Sequence, residues 1–517
     1  MGDSGPTRRP TPTASPVQPT PLRAAPPRAA LALVTLALLV GAVVGGCYGL
    51  RQTMGGGQTT FTPPRQVDAA DVAVPPGYRV EVVATGLTFP TGIAFDDRGR
   101  AYVTEAGYSY GEEWDVPRVV RLEPDGGRTV IVEGDNPPWN GVAYHGGALY
   151  IAEGGVLEGG RILRVGLDGQ VRELVRDLPS LGDHHTNGPA IGTDGWIYFG
   201  QGSVTNSGVV GEDSHAFGWL ERFPQVHDIP CQDVTLAGRN YTTPDPLADD
   251  TGARAVTGAF VPFGSSTEPG QVVPGQVPCS GAILRVPPEG GATELVAWGL
   301  RNPFGLAFAP DGRLYVTDNS YDERGSRPVW GTGDLLYAIE PGAWHGWPDY
   351  HGERPLTDAD HFAAPGREPP GFVLAEHPNQ PPAAIARLGV HSASTGFDFS
   401  PGPDFGHEGQ AFVTQFGDMA PGVGKVLGPV GFKVVRVDVE TGAVHDFAVN
   451  RAELNGPASW VGGAGLERPV AARFSPDGTA LYVVDFGVMT VDLERPWPVR
   501  DTGVVWRISR TGAGGGP

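Results

Sequence analysis

One pattern recurs six times along this chain, and it limits the fold more than any other feature. Each copy is a run of small and apolar residues, a tight turn, and a β-rich run that ends on an acid or an amide. The copies are PTGIAFDDRGRAYVTEAG (90–107), WNGVAYHGGALYIAEGG (139–155), TNGPAIGTDGWIYFGQGS (186–203), NPFGLAFAPDGRLYVTDNS (302–320), STGFDFSPGPDFGHEGQAFVTQFGD (394–418) and RPVAARFSPDGTALYVVDFG (468–487). In the Pro-Asp-Gly turns, Pro presets φ and Gly supplies φ > 0. A second hairpin-like signal follows each copy, as in RVVRLEPDGG (118–127) and FKVVRVDVETGAVHDF (432–447). Four strands per unit, repeated six times, is the signature of a β-propeller. The expected fold is therefore an all-β, six-bladed β-propeller over 75–512. A two-domain β-sandwich does not account for the recurrence.

The sixth unit ends near residue 512 without a fourth strand. The alternating stretch Gly77–Leu87 is placed to supply it, and closure across the ends would remove an exposed sheet edge. A small residue recurs in each first strand, at Gly92, Gly141, Gly188, Gly305, Gly396 and Ala471. The first five are spaced by 49, 47, 117 and 91 residues. Blades three and four thus carry insertions, 204–280 and 350–390. Long loops in a compact fold are commonly functional. Cys231 and Cys279 fence the first insertion, and an even pair in an exported protein predicts a disulfide.

Export is expected from the N-terminus. Residues 1–28 are rich in Pro, Thr and Ala and hold four arginines, the composition of a disordered or signal-type segment. Residues 29–50 carry no charge until the following arginine, long enough to span a bilayer. The arginines precede this stretch, so the body should lie on the extracytoplasmic face, membrane-anchored. Val44-Gly45-Gly46-Cys47 also resembles a bacterial lipoprotein signal, with Cys47 the lipidated residue; a transmembrane anchor and a lipid anchor both stay open. Residues 51–74 read as a linker and 513–517 as a tail. The formal net charge of −21 argues against nucleic acid as a partner.

In a propeller blade, the residues before the first strand and after the second share one face near the central channel. The after-strand positions hold Glu105, Glu153, Gln201, Asp318, Gln415 and Asp485. The before-strand positions hold His185, Arg301, Asn302 and Arg468, among others. Convergent polar groups on one rim, under long loops, make the default candidate site. His185 is the candidate acid/base because only His titrates near neutral pH unperturbed. Arg301 and Arg468 are candidates for clamping a carboxylate.

These residues resemble the glucose/sorbosone dehydrogenase family, and its L-sorbosone dehydrogenase-like branch in particular. The motifs are GLRNPFGLAFAPDGRLYVTDN (299–319), GDLLYAIEPGAWHGWP (333–348), DHHTNGPAIGTDGWIYFGQGS (183–203), HSASTGFDFSPGPDF (391–405) with GFKVVRV (431–437), and ERPVAARFSPDG (467–478). The resemblance implies a six-bladed quinoprotein that oxidises a sugar, using pyrroloquinoline quinone (PQQ) and Ca²⁺. It implies His185 as general base, Arg301 and Asn302 on the quinone oxygens, and Arg468 on a cofactor carboxylate. Gln415 falls where the glucose enzymes have a cofactor-binding lysine. The backbone at Ser320 and Tyr321 falls at the calcium position, and Asp334 at a second metal position. Electrons would pass to an acceptor in the respiratory chain. Two other readings are a lactonase-type hydrolase with Glu105, Glu153, Asp318 and Asp485 around a divalent ion, and a non-catalytic carbohydrate- or protein-binding propeller.

Overall fold

Six antiparallel sheets follow one another along the chain. The structure is a computed structural model that describes residues 1–2, 57–107, 115–216, 218–419, 428–491 and 496–512. The chain divides into two units, Met1–Tyr48 and Gly49–Pro517. The apolar stretch 29–50, Cys47 and the tail 513–517 lie outside the described residues. Among the described residues no helix is long and apolar enough to cross a membrane.

Each sheet is a blade of the expected propeller. The innermost strands are Gly92–Phe95, Trp139–His145, Thr186–Ile191, Pro303–Phe308, Ser394–Phe399 and Pro469–Phe474. Each pairs with a second strand that returns to the site face: Ala101–Glu105, Ala148–Glu153, Ile197–Gln201, Leu314–Asp318, Ala411–Gln415 and Ala480–Asp485. Blade six is completed by the N-terminal strand Tyr78–Leu87, which pairs with Gly503–Arg510. The closing strand is thus the one the sequence left unpaired.

The second strands do not alternate between apolar and polar residues, because both of their faces are buried. Successive side chains on a strand point to opposite faces. In blade two, Leu149 and Ile151 pack with blade one residues such as Tyr102 and Val119. Tyr150 and Ala152 pack with blade three residues such as Ile197 and Phe199. Near the axis the innermost strands come so close that small residues are required. A Cβ on Gly92 would lie 2.9 Å from the Gly141 Cα, and one on Gly396 would lie 2.9 Å from the Ala471 Cα. A Cβ on Gly141 would collide with the Gly188 carbonyl. The recurrent small residue of the sequence is therefore a collar around the axis.

The insertion 204–280 holds two short helices, Glu212–Ala216 and Trp219–Arg222, and two small paired-strand elements. The Cys231–Cys279 disulfide forms as expected. The stretch expected as insertion 350–390 holds a strand pair and the helix Ala359–Phe362, but its end, Ala386–Val390, is the outermost strand of blade four. One difference from the sequence reading concerns the expected linker. Its described part, from residue 57, lies on the propeller. Gln58 bridges to Thr490, and Val72–Ala73 adds a fifth strand to blade five. The Arg65 side chain is 3 % exposed and donates to Asp485 Oδ2 (2.6 Å), the Thr502 carbonyl (2.6 Å) and the Gly465 carbonyl (2.7 Å). Backbone N–H groups and a buried carboxylate that need partners explain why this polar segment docks.

Candidate functional site

The acids and amides that end the second strands do not form a ring around the channel. Each turns back to hold the chain entering its own blade. Glu105 accepts from the Thr88 N–H (2.6 Å) and from Arg118 Nε (2.7 Å). Glu153 accepts from Asn136 Nδ2 (2.8 Å) and Trp139 Nε1 (3.0 Å). Gln201 accepts from Thr186 Oγ1 (2.8 Å). Asp318 accepts from the N–H groups of Arg301 (3.1 Å) and Asn302 (2.7 Å). Gln415 donates to Ser394 Oγ (3.3 Å) and also to the Leu388 carbonyl (2.8 Å) on the outermost strand of blade four. Asp485 accepts from the N–H groups of Glu467 and Arg468, both at 2.8 Å. The regularity is structural, since buried N–H groups must find acceptors. The carboxylate ring expected for a lactonase-type metal is therefore absent, and Gln415 is turned away from ligand space.

The site face instead holds a cavity of ≈ 200 Å³ on the axis. His185, Arg301, Asn302, Ser320, Tyr321 and Asp334 all line it, as the sequence placed them. Arg468 does not. It is buried, with its guanidinium over the rings of Phe416 (4.9 Å) and Phe432 (5.2 Å), and it donates to the Gly417 carbonyl (2.8 Å). The cavity has two kinds of wall. Blades three and four supply polar groups, while Phe304, Phe416, Phe486, Val470 and Met489 supply an apolar one.

His185 stands just before the first strand of blade three and is 4 % exposed. Its Nδ1 lies 3.0 Å from the Ser180 carbonyl. A carbonyl only accepts, so Nδ1 carries the proton and Nε2 carries a lone pair. That Nε2 is buried with no hydrogen-bond partner. Burial lowers its pKa to about 4, against the opposing Ser180 contact and Asp183 charge. The ring is therefore a neutral base at pH 7. His184 beside it is spent on Ser203, and burial with the charges of Arg301 and Arg324 holds it neutral too.

Arg301 is fixed from several sides. Its Nε donates to the Asn206 carbonyl (3.0 Å), and its Nη2 donates to Asn206 Oδ1 and Asp322 Oδ2, both at 2.9 Å. Its Nη1 reaches the Asn319 carbonyl at 3.3 Å, which leaves one Nη1 proton uncommitted. Asn302 belongs to a chain of amides across the blades. Asn140 donates to Asn187 (3.2 Å), Asn187 to Asn302 (2.9 Å), Asn302 to Asn319 (3.0 Å), and Asn319 to the Ser394 carbonyl (2.6 Å). One Asn302 amide proton remains. Asp183 Oδ1 and Ser320 Oγ are buried acceptors without partners. Two donor protons and three acceptors on residues of this wall are thus uncommitted within the protein.

Ser320, Tyr321 and Asp334, expected at the metal positions, line the cavity together, and Asp334 and the Tyr321 carbonyl each accept hydrogen bonds from the protein. Asp334 accepts from Ser320 N (3.2 Å), Ser392 Oγ (2.9 Å) and Ser394 N (2.5 Å). The Tyr321 carbonyl accepts from Thr332 Oγ1 (2.7 Å). Among the described residues no three His, Cys, Asp or Glu side chains converge as metal ligands.

Three contributors were missed by sequence reasoning. Asn206 binds Arg301 and also donates to the carbonyls of Asp322 (2.9 Å) and Arg324 (3.1 Å). Trp219 lies edge-on to His185, with ring centroids 6.4 Å apart. His391 lines the cavity 3.0 Å from Glu323, an ion pair without good hydrogen-bond alignment, and lies within 4 Å of Asp322 and Asp418. Burial opposes its charge, but Glu323, with Asp322 and Asp418, lifts its pKa to about 9. His391 opens the motif that precedes the first strand of blade five, but it stands three residues before Ser394, whereas His185 directly precedes Thr186, so the strand-entry position that marked His185 did not mark it.

No protein-family model and no curated protein matches the chain. Solved structures do. The holo PQQ domain of pyranose dehydrogenase from Coprinopsis cinerea is 18 % identical, with 88 % of this chain and 100 % of that one covered and a TM-score of 0.51. The iodide structure of a Trichoderma reesei carbohydrate-active enzyme of family AA12 is 17 % identical, with 87 % and 100 % covered and a TM-score of 0.50. The PQQ-bound aldose sugar dehydrogenase from Streptomyces coelicolor is 17 % identical, with 84 % and 100 % covered and a TM-score of 0.46. At these identities the likeness is one of fold.

Proposed function

We propose that the protein oxidises a sugar-type alcohol or aldehyde in the axial cavity, with His185 as general base and PQQ as the electron-accepting group. The observation that carries this reading is the buried His185 Nε2. It is neutral, without a partner, and in the same wall as Arg301 and Asn302. The names carried by the fold neighbours support the same chemistry.

A bound quinone would supply the two-electron oxidant. The residues present fit its carbonyl side, through the remaining protons on Arg301 Nη1 and Asn302 Nδ2, and an apolar wall at Phe304, Phe416 and Phe486 fits its ring. The carboxylate anchors implied by the resemblance are not in the cavity, because Arg468 and Gln415 are turned elsewhere. The chain's own part is to bind, orient and move one proton. Asp183 Oδ1 and Ser320 Oγ accept hydroxyl protons from a polyol. His185 Nε2 takes the proton of the reacting hydroxyl, and the Ser180 carbonyl keeps the ring in the tautomer that can do so. Asp183, the nearest carboxylate, favours the imidazolium that results. The apolar wall keeps water from the reacting carbon. Tethered by 29–50 or by a lipid on Cys47, such an enzyme would pass electrons to a respiratory acceptor.

Titration of the purified protein with PQQ, with and without calcium, tests the reading. Binding at micromolar concentration should shift the cofactor absorbance, and aldoses should then reduce a dye. His185→Ala should keep cofactor binding and lose turnover by about 100- to 10,000-fold. Absence of binding at micromolar PQQ would overturn the quinone reading and leave a sugar-binding propeller.

A further inference from the structure

The insertion 204–280 is a large addition to the ring, and the proton transfer above makes no use of it. One of its side chains nevertheless reaches the base. Trp219 opens the short helix Trp219–Arg222 and is 1 % exposed. Its ring meets His185 edge-on, at an interplanar angle of 82°.

The segment that carries Trp219 is pinned on both sides. Upstream, Asp213 pairs with Arg324 Nη1 at 3.0 Å, on the loop that follows the second strand of blade four. Downstream, Asp228 accepts from the Val204 N–H (2.6 Å) and Thr205 Oγ1 (2.5 Å), where the insertion leaves blade three. Cys231–Cys279 then closes the remainder against the same strand edge. Both pins are buried carboxylates, and burial lifts Asp213 to about 6 and Asp228 to about 7. Burying carboxylates is unfavourable unless they are well paired, so the chain holds this segment in place at a cost.

We propose that Trp219 is a positioning residue for His185: it covers one side of the imidazole and fixes the ring against the Ser180 carbonyl. This rests on the assignment of His185 as the base. The charged groups near the ring are Asp183 on its own segment, Arg301 and Arg324, which are engaged with Asp183 and Asp322, and Asp213, which is engaged with Arg324. On the helix of Trp219, Glu221 faces His215 at 3.5 Å. Removing the indole should therefore change solvation of the ring more than the charge around it.

The test is an NMR titration of His185, assigned by its loss in His185→Gln, together with the pH profile of turnover. Trp219→Leu should raise the His185 midpoint by at least one pH unit toward its ordinary value, and should move the acid limb of the profile by the same amount. PQQ affinity should stay within about twofold, and Trp219→Phe should stay near wild type. If Trp219→Leu does not fold, Trp219→Met replaces it. A folded variant whose His185 midpoint is unmoved would overturn the proposal. If the midpoint moves but His185→Ala still turns over, positioning holds and the base assignment fails.

Discussion

His391 is a cation that the pocket wall is built around, and its charge ties stability to pH. Its folded pKa, about 9, lies above the ordinary imidazole value. Folding therefore favours the protonated ring, and the stabilisation is full below about pH 6.5. It declines as pH rises toward 9 and is gone above it. Urea midpoints at pH 6, 8 and 10 should fall more steeply for wild type than for His391→Gln, which lacks this titration. At the same scale, His185, Arg301 and Asn302 were legible in the sequence because position before an innermost strand fixes which face a residue serves. Glu105, Glu153, Asp318 and Asp485 were legible as a pattern but misassigned as a ring. Strand position does not show which way a carboxylate turns, and here the buried N–H groups at each strand entry claim them. Arg468 was misplaced for a related reason: two aromatic rings, Phe416 and Phe432, take its guanidinium.

Among the connecting elements, two loops from neighbouring blades clasp over the cavity, and Asn206 is their joint. Its amide accepts from Arg301 and from the Asp322 N–H (2.9 Å), and donates to two carbonyls of the same loop. Ser207 and Arg327 add reciprocal contacts to backbone carbonyls at 2.6 and 3.0 Å. Asn206→Ala leaves several buried groups unpaired, each costing about 1–3 kcal/mol. The expected outcome is a loss of about 3 kcal/mol in denaturant unfolding, with weaker ligand binding because Arg301 loses its support. None of this could be read from the sequence. The partners lie 116 residues apart along the chain, and no local pattern marks a contact of that span. The insertions themselves were visible as breaks in the repeat spacing, and the disulfide as an isolated pair, because both depend on counting rather than on packing.

For the whole molecule, the ring is held shut by its N-terminal end in two places. The strand Tyr78–Leu87 completes blade six, as the unpaired sixth unit required. The segment before it adds a pin that composition gave no reason to expect, since it looked like a linker. Arg65 reaches Asp485 at 2.6 Å and Glu467 at 4.0 Å, and both acids are buried. Removing one partner of a buried ion pair costs about 3–5 kcal/mol. Arg65→Ala should therefore lower the denaturation midpoint by the equivalent of about 3 kcal/mol, while Arg79→Ala, whose contact with Glu81 is exposed, should change it little. The small-residue collar has a different consequence, one of traffic. Beneath the site the axis narrows to a space of ≈ 40 Å³, lined by Gly92, Gly141, Gly188, Gly305, Gly396 and Ala471. That admits a few waters but not a sugar ring. A sugar that enters from the site face cannot cross this collar, so its product leaves by the face it came in on and competes there with fresh substrate.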